Sequence, residues 1–414
     1  PQKSLHAIML PNPRALPFPS GCDIIAVGGA SFLSIYLDNA ATSWPKCPQV
    51  LAAMQQYLCE CGGSPGRAGH GKSLTSSRMV YDTRDQLTAL FNAASTDRVV
   101  FAKNATEALN MLLFGFLNPG YHIVTSAMEH NAVMRPLRQL EACGVKLSVA
   151  ACDGQGRLDL DTISHLLTAK TRLILINHAS NVTGTIQPIA EIGALAKQAG
   201  VRFAVDAAQT AGVCPLDMQQ NAIDFLAFTG HKSLGGPQGT GGLALGPDVD
   251  LRPLIFGGTG SASESELQPD FLPDKLESGT LNAIGLAGLG AALSDLSAFG
   301  VDNVLPHEQK LLRQFRDGLR ELPEIEVYGP ADPAESVGVL SLNVAGLPCD
   351  EVGARLEQQF GIFTRTGLHC APAAHRSIGT LTSGTVRFSV SRFTTEAEIA
   401  AALAALAIIG RDLK

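Results

Sequence analysis

The stretch Phe225-Leu226-Ala227-Phe228-Thr229-Gly230-His231-Lys232-Ser233-Leu234-Gly235-Gly236-Pro237 decides how this chain is read. Four apolar residues, Phe225 to Phe228, read as a short buried strand. The strand ends in a hydroxyl, a glycine, an imidazole and a lysine, and a glycine-rich turn follows. Lysine is seldom buried unless its amine is used, and Phe228 and Leu234 put apolar surface on both sides of Lys232. Desolvation lowers a lysine pKa, and the neutral amine adds to carbonyl groups. Taken alone, a His-Lys pair at a strand end reads equally as a solvated loop. The other strand ends decide between the two.

Working outward, Arg98-Val99-Val100-Phe101 reads as a strand, and Lys103-Asn104-Ala105-Thr106-Glu107 opens an apolar helix. Three more short apolar runs end in polar residues: His122-Ile123-Val124 before Met128-Glu129-His130-Asn131, Leu173 to Ile176 before Asn177 to Asn181, and Phe203-Ala204-Val205 before Asp206 to Gln209. Alternation of strands with helices predicts α/β layers around a mostly parallel sheet. Ligands of such sheets sit outside the carboxyl ends of the strands. Five strand ends delivering polar groups to one edge predict one site.

The expected organisation is a large domain over residues 50–298 and a smaller α+β domain over 299–414, where charged helical stretches and short strands appear. Residues 35–49 are expected to pack with the smaller domain. Residues 1–34 are expected to be an irregular extension, because Pro11, Pro13, Pro17 and Pro19 break any helix and no periodicity survives. Ile24 to Leu33 lacks the basic run and cleavage site of a secretory signal.

With 414 residues, 45% hydrophobic, the chain can bury a large core. A net charge of −7 and a pI near 5.8 argue against nucleic acid or an anionic membrane as partner of the whole surface. Nine cysteines lie scattered, and the one close pair, Cys59 and Cys61, is spaced too tightly for a zinc knuckle. No metal site is expected, and a reduced, cytoplasmic protein is the simple reading. No apolar stretch approaches the length of a membrane span.

Asp206 reads either as a turn or helix-capping aspartate or as a carboxylate paired with a protonated ring nitrogen. Pyridoxal phosphate needs one lysine for its aldehyde and one acid for its pyridine nitrogen, and Lys232 with Asp206 provides that pair. His130 offers a flat ring to stack on such a cofactor. Ala105 and Thr106 at a helix start offer N–H groups and a hydroxyl to a phosphate, and Thr229 and His231 add to them. Asn181 and Gln209 can reach a ring hydroxyl or the substrate, or simply satisfy their own turns. Cys370 lies in a polar loop, Thr364-Arg365-Thr366-Gly367-Leu368-His369-Cys370, beside an imidazole that favours its thiolate. Arg387, a lone charge inside a strand pattern, either grips a carboxylate bidentately or faces outward.

These pieces resemble, in order, the motifs of pyridoxal-phosphate-dependent cysteine desulfurases and selenocysteine lyases of the class V aminotransferase fold. The matching stretches are Tyr36 to Thr42, Asn104 to Ala108, Met128 to His130, Ser180 to Gly184, Val205 to Gln209, Gly230 to Lys232, Glu277 to Thr280 and Arg365 to Cys370. The last resembles the second desulfurase group. The resemblance implies a type I transferase fold in which Lys232 forms the Schiff base, Asp206 pairs with the pyridine nitrogen, His130 stacks and Gln209 meets the ring hydroxyl. Thr106, Thr229 and His231 would hold the phosphate, with Gly279 and Thr280 reaching the site of a neighbouring subunit in a homodimer. Arg387 would bind the substrate carboxylate, and Arg67 and His70 lie in a stretch similar to another active-site loop. Cys370 would take sulfur from L-cysteine as a persulfide, leave alanine, and pass the sulfur to an acceptor protein. Asn131 and Leu368 stand where the second group often carries histidines.

Two relatives of this reaction share the cysteine, selenocysteine lyase and cysteine-sulfinate desulfinase. A catalytically silent scaffold is the reading from a different class, and the joint presence of Lys232, Asp206 and Cys370 argues against it.

Overall fold

The computed structural model of the protein describes residues 24–27, 30–66 and 69–411. The described residues begin with β1 (Ile24–Val27), β2 (Ala30–Leu33), β3 (Ile35–Tyr36), α1 (Pro48–Gln56) and α2 (Gly71–Phe91). The large layers follow as β4 (Val99–Ala102), α3 (Ala105–Phe116), β5 (His122–Ser126), α4 (Asn131–Ala142), β6 (Lys146–Ala150), α5 (Leu160–Leu166) and β7 (Thr171–Asn177). They close with α6 (Ile189–Ala199), β8 (Arg202–Asp206), β9 (Phe225–Thr229), β10 (Gly241–Leu245) and α7 (Ala283–Phe299).

Seven of these strands form one sheet in the order β4-β10-β9-β8-β7-β5-β6. Its neighbours pair in parallel except β10, which runs antiparallel to both β4 and β9. The carboxyl ends of β4, β5, β7, β8 and β9 therefore share one edge. Strands covered on both faces read as continuous apolar runs, and β5 and β9 are buried at every residue. Period-two alternation then sorts their side chains: Leu173 and Leu175 join one core, Ile174 and Ile176 the other. α3 and α4 cover the first face through residues such as Leu109, Leu112 and Leu137, while α2, α6 and α7 cover the second through Leu87, Ile192 and Leu289. This is the expected α/β architecture with a mostly parallel sheet.

The smaller layer comprises α8 (Val304–Leu319), β11 (Ile325–Tyr328), β12 (Val339–Val344), α9 (Cys349–Phe360), β13 (Ile362–Phe363), β14 (Arg365–Gly367), α10 (Pro372–Ser377), β15 (Thr385–Ser389) and α11 (Glu396–Arg411). Its antiparallel sheet, β11-β12-β15-β14, packs on a core containing Leu311, Phe315, Leu356 and Leu406. β3 pairs in parallel with β13, and Ile35 and Leu37 enter the same core. One part of the expected irregular extension needs correction. β1 and β2 pair as an antiparallel hairpin with Ile24 opposite Leu33. Ile24, Ile25 and Val27 are β-branched or apolar, and this local propensity outweighs the proline-rich run before them.

A buried ion pair ties the front of the large layers. Arg84 of α2 donates to both carboxylate oxygens of Glu277, at 2.6 and 2.9 Å, and its guanidinium lies 4.5 Å over the Phe101 ring. Glu277 also accepts from the Phe101 main-chain N–H of β4 at 2.6 Å. Removing one partner strands the other charge in a dry setting. Glu277→Ala is expected to cost about 3–5 kcal/mol in chemical denaturation, and the double replacement Arg84→Met with Glu277→Leu far less. A wild-type unfolding midpoint for Glu277→Ala would contradict this reading of the pair.

Candidate active site

Lys232 stands three residues past β9, in a turn that only a glycine permits. A Cβ at Gly230 would lie 2.2 Å from Thr240 Oγ1. The turn is closed by Gly235 N–H on Lys232 O and Gly236 N–H on Gly230 O, each at 2.8 Å. A distant segment grips it from the other side. Ser43 N–H and Lys46 Nζ donate to His231 O at 2.9 and 2.8 Å, and Ser43 Oγ donates to Lys232 O at 2.8 Å.

Lys232 and Asp206 line one cavity at the shared strand edge with His130, Asn181, Gln209 and Arg387. Burial pushes the Lys232 amine down from 10.5 to about 8, with the Asp206 carboxylate opposing that fall. Burial likewise raises the Asp206 pKa, against the Ala208 N–H it accepts at 3.0 Å and the charge of Lys232. His130 caps α4, its Nδ1 accepting from Ala132 N–H at 3.0 Å. The neutral ring therefore carries its hydrogen on Nε2. Burial first, then the charges of Lys232 and Arg365, bring His130 down to about 4, so it is neutral near pH 7. Burial and Lys232 hold His231 at about 4 as well.

The phosphate-type donors assemble at the end of β4 and in the turn after β9. Asn104 caps α3 by accepting Glu107 N–H at 3.0 Å, while Glu107 accepts Lys103 N–H at 2.6 Å. This reciprocal cap leaves the N–H groups of Ala105 and Thr106 without intrahelical acceptors. Ala105, Thr106, Thr229 and His231 all line the cavity. Thr229 Oγ1, His231 Nδ1 and Asn181 Oδ1 are buried there with no partner in the protein. Gln209 Nε2 donates to Ala40 O at 3.2 Å, which ties its amide to the N-terminal segment.

Arg387 is 1% exposed and faces inward, which excludes the outward-facing alternative left open by its strand position. Its Nη2 pairs with Asp38 Oδ1 at 2.7 Å, and its Nη1 donates to Asn181 O at 3.1 Å. Arg365 sits directly opposite it across β14 and β15 and lines the same cavity. Its Nη2 lies 3.5 Å from Cys370 Sγ. Cys370 is exposed, in the loop between β14 and α10. Sequence reasoning assigned nothing to Asp38, Arg365, Ser43 or Lys46. A lone arginine two residues before Gly367 in the Cys370 loop was a visible signal for Arg365; the others have none outside the fold.

Three expected site residues lie elsewhere in the single chain. Gly279 and Thr280 are exposed, Thr280 lining a surface cleft with Leu254 and Ile255. His70 is exposed and caps α2 by accepting Ser73 N–H at 3.3 Å. Arg67 lies outside the described residues. No cluster of three or more His, Cys, Asp or Glu side chains suited to a metal occurs among the described residues.

The aminotransferase class-V family model matches residues 35–402. A probable cysteine desulfurase of Methanothermobacter thermautotrophicus is 35% identical over 88% of this chain and 92% of its own length. A cysteine desulfurase of Escherichia coli is 35% identical over 81% of this chain and 84% of its own. Among solved structures, the apo cysteine desulfurase of Thermococcus onnurineus NA1 aligns with a TM-score of 0.86 at 31% identity, covering 92% of this chain and 95% of that one. The cysteine desulfurase CsdA of Escherichia coli aligns with a TM-score of 0.82 at 28% identity, with the same coverage. Sequence motifs in family order, the sheet edge and these likenesses agree: the chain belongs to the aminotransferase class-V family.

Proposed function

We propose that this protein is a pyridoxal-phosphate-dependent cysteine desulfurase that converts L-cysteine to L-alanine and holds the sulfur on Cys370 as a persulfide. The observation that carries the reading is the half-buried Lys232 with the buried Asp206 in one cavity with Arg387, next to Arg365 and the exposed Cys370 thiol. The names of the relatives support it.

The residues fit the cofactor. The three orphaned buried atoms, Thr229 Oγ1, His231 Nδ1 and Asn181 Oδ1, suit the polar rim of a phosphorylated, hydroxylated ring, and the open N-terminus of α3 suits its phosphate. Pyridoxal phosphate supplies, when bound, an aldehyde for amines and a ring that withdraws electrons from the substrate's α-carbon. Lys232 Nζ, neutral in an appreciable fraction near pH 8, is the amine for that aldehyde and the base that takes the α-proton. Asp206 would hold a proton at the ring nitrogen, and neutral His130 would offer its flat face for stacking. Arg387, already oriented by Asp38 and Asn181 O, grips the substrate carboxylate. The Cys370 thiolate attacks the substrate's sulfur. A new S–S bond forms, the Cβ–S bond breaks, and the electron pair left on the three-carbon skeleton is protonated on the way to alanine. The persulfide then passes its outer sulfur to a thiol acceptor, which regenerates the Cys370 thiol.

A homodimer belongs to the proposal. Gly279 and Thr280 are exposed beyond the anchored Glu277, beside exposed Leu254, Ile255 and Phe256, which supports a second copy meeting this face. Arg365 supports a second substrate reading, cysteine sulfinate. A second guanidinium opposite Arg387 suits an anionic side chain, and direct comparison of alanine release from the two amino acids decides it.

Two predictions follow from the geometry. Incorporation of pyridoxal phosphate into cofactor-free protein should speed up as pH rises through about 8 and level off above it, because Lys232 is the neutral nucleophile there. Asp206→Asn should move that rise to lower pH, since the carboxylate's attraction keeps the proton on. A midpoint at the ordinary lysine value would contradict the burial argument. Cys370→Ala should keep the cofactor yet lose roughly a hundredfold or more of the sulfide released from L-cysteine in the presence of a thiol reductant. Undiminished sulfide from Cys370→Ala would remove the persulfide from the proposal.

A further inference from the structure

The Arg387 guanidinium carries a counter-ion before any ligand arrives. Its Nη2 pairs with Asp38 Oδ1 at 2.7 Å and its Nη1 donates to Asn181 O at 3.1 Å, while its Nε is buried without a partner. Asp38 is the only acid in ion-pair reach of Arg387 among the described residues. Its side chain keeps 20% of its surface exposed against 1% for Arg387, so the acid holds some water and the cation almost none. The other charges nearest this pair in the cavity are cations. Arg365 faces Arg387 across β14 and β15, and Lys232 lines the same cavity.

Asp38 owes its place to the main chain around it rather than to its carboxylate. It bridges Ser389, the last residue of β15 and two beyond Arg387. Ser389 N–H donates to Leu37 O at 2.7 Å, Asn39 Nδ2 to Ser389 O at 3.0 Å, and Ala40 N–H to Ser389 Oγ at 2.8 Å. These bonds stay whatever side chain stands at position 38. What the carboxylate adds is charge. A carboxylate ligand that reaches Arg387 must share the guanidinium with Asp38, and the two anions repel each other across it. Substrate and product amino acids carry the same carboxylate, so a grip on that group holds both alike. Such uniform binding lowers KM without raising kcat, and it slows product release.

We propose that Asp38 is a positioning residue that acts through Arg387 and limits how hard the cavity holds a carboxylate: it occupies the guanidinium as a resident counter-ion, and its charge weakens the hold on substrate and product alike. The inference rests on the proposed function, in that an amino-acid carboxylate is the ligand of Arg387. The resident ion pair itself is independent of the reaction. A residue that merely aimed the guanidinium would have the opposite effect, because its loss would weaken carboxylate binding.

The test is calorimetric titration of the cofactor-loaded protein with propionate, and with propionamide as its uncharged counterpart, for wild type and Asp38→Asn. The asparagine keeps an oxygen that accepts from Arg387 Nη2 and loses only the charge. Propionate should bind Asp38→Asn about tenfold more tightly than wild type, and propionamide should show no such gain. Loss of the acid leaves a buried cation uncompensated. The variant should therefore unfold at a lower temperature than wild type and recover in saturating propionate but not in propionamide. This melting measurement reads the same effect even where the variant is too unstable to titrate. With L-cysteine, the KM of the variant should fall about tenfold with no rise in kcat. Weaker or unchanged propionate binding in Asp38→Asn, or an unfolding temperature that propionate does not restore, would overturn the inference. An equal gain for propionamide would overturn it too, because charge would then not be what Asp38 contributes. Propionate has neither an amine nor a sulfur, so a wild type that releases no sulfide from L-cysteine would sink the proposed function and leave the titration to decide this inference separately.

Discussion

An amine partly withdrawn from water is the constraint on which the site depends. Lys232 stands at the end of a strand buried at every position, and burial is the largest influence on its charge. Everything nearby answers to that. Asp206, at the end of β8 on the strand paired with β9, supplies the larger of the opposing charges. The turn itself is over-fixed, with hydrogen bonds from its own glycines on one side and from Ser43 and Lys46 on the other. A lysine held by its backbone can be reached by a substrate only on its amine. That is the geometry a covalent cofactor requires.

The charge pattern around the cavity is uneven in a useful way. Lys232, Arg365 and Arg387 bring positive groups, and Asp206 and Asp38 answer two of them. The imidazoles of His130 and His231 add no charge near neutrality, because burial and these cations hold both at about 4. A cavity of this kind attracts anions: the carboxylate of an amino acid, the phosphate of a cofactor. Arg387 is the sharpest case, since it is almost fully buried and keeps only Asp38 as a charged partner among the described contacts. Its orientation is prepaid by a residue at the far end of the chain.

The large sheet was legible because its strands are short apolar runs that end abruptly in polar residues, and Lys232, Asp206 and His130 all sit at such ends. Arg387 was legible as a charge out of place in a strand. Asp38, Ser43 and Lys46 were not, because they meet their partners across roughly two hundred residues or more of chain, and no local period encodes that. The hairpin of β1 and β2 was missed where prolines upstream dominated the reading. Gly279, Thr280 and His70 show the opposite limit: their motifs are visible in the sequence, but a single chain leaves them exposed, away from its own cavity.

The central claim is that Lys232 is the amine that carries the cofactor. Lys46 is a real competitor, since burial also brings it down to about 8 and it lies 2.8 Å from His231 O in the same turn. Borohydride reduction of the cofactor-loaded protein, followed by peptide mass spectrometry, separates the two. The account predicts a single pyridoxyl adduct on the peptide containing Lys232. An adduct on Lys46, or on any other lysine with Lys232 unmodified, would contradict it.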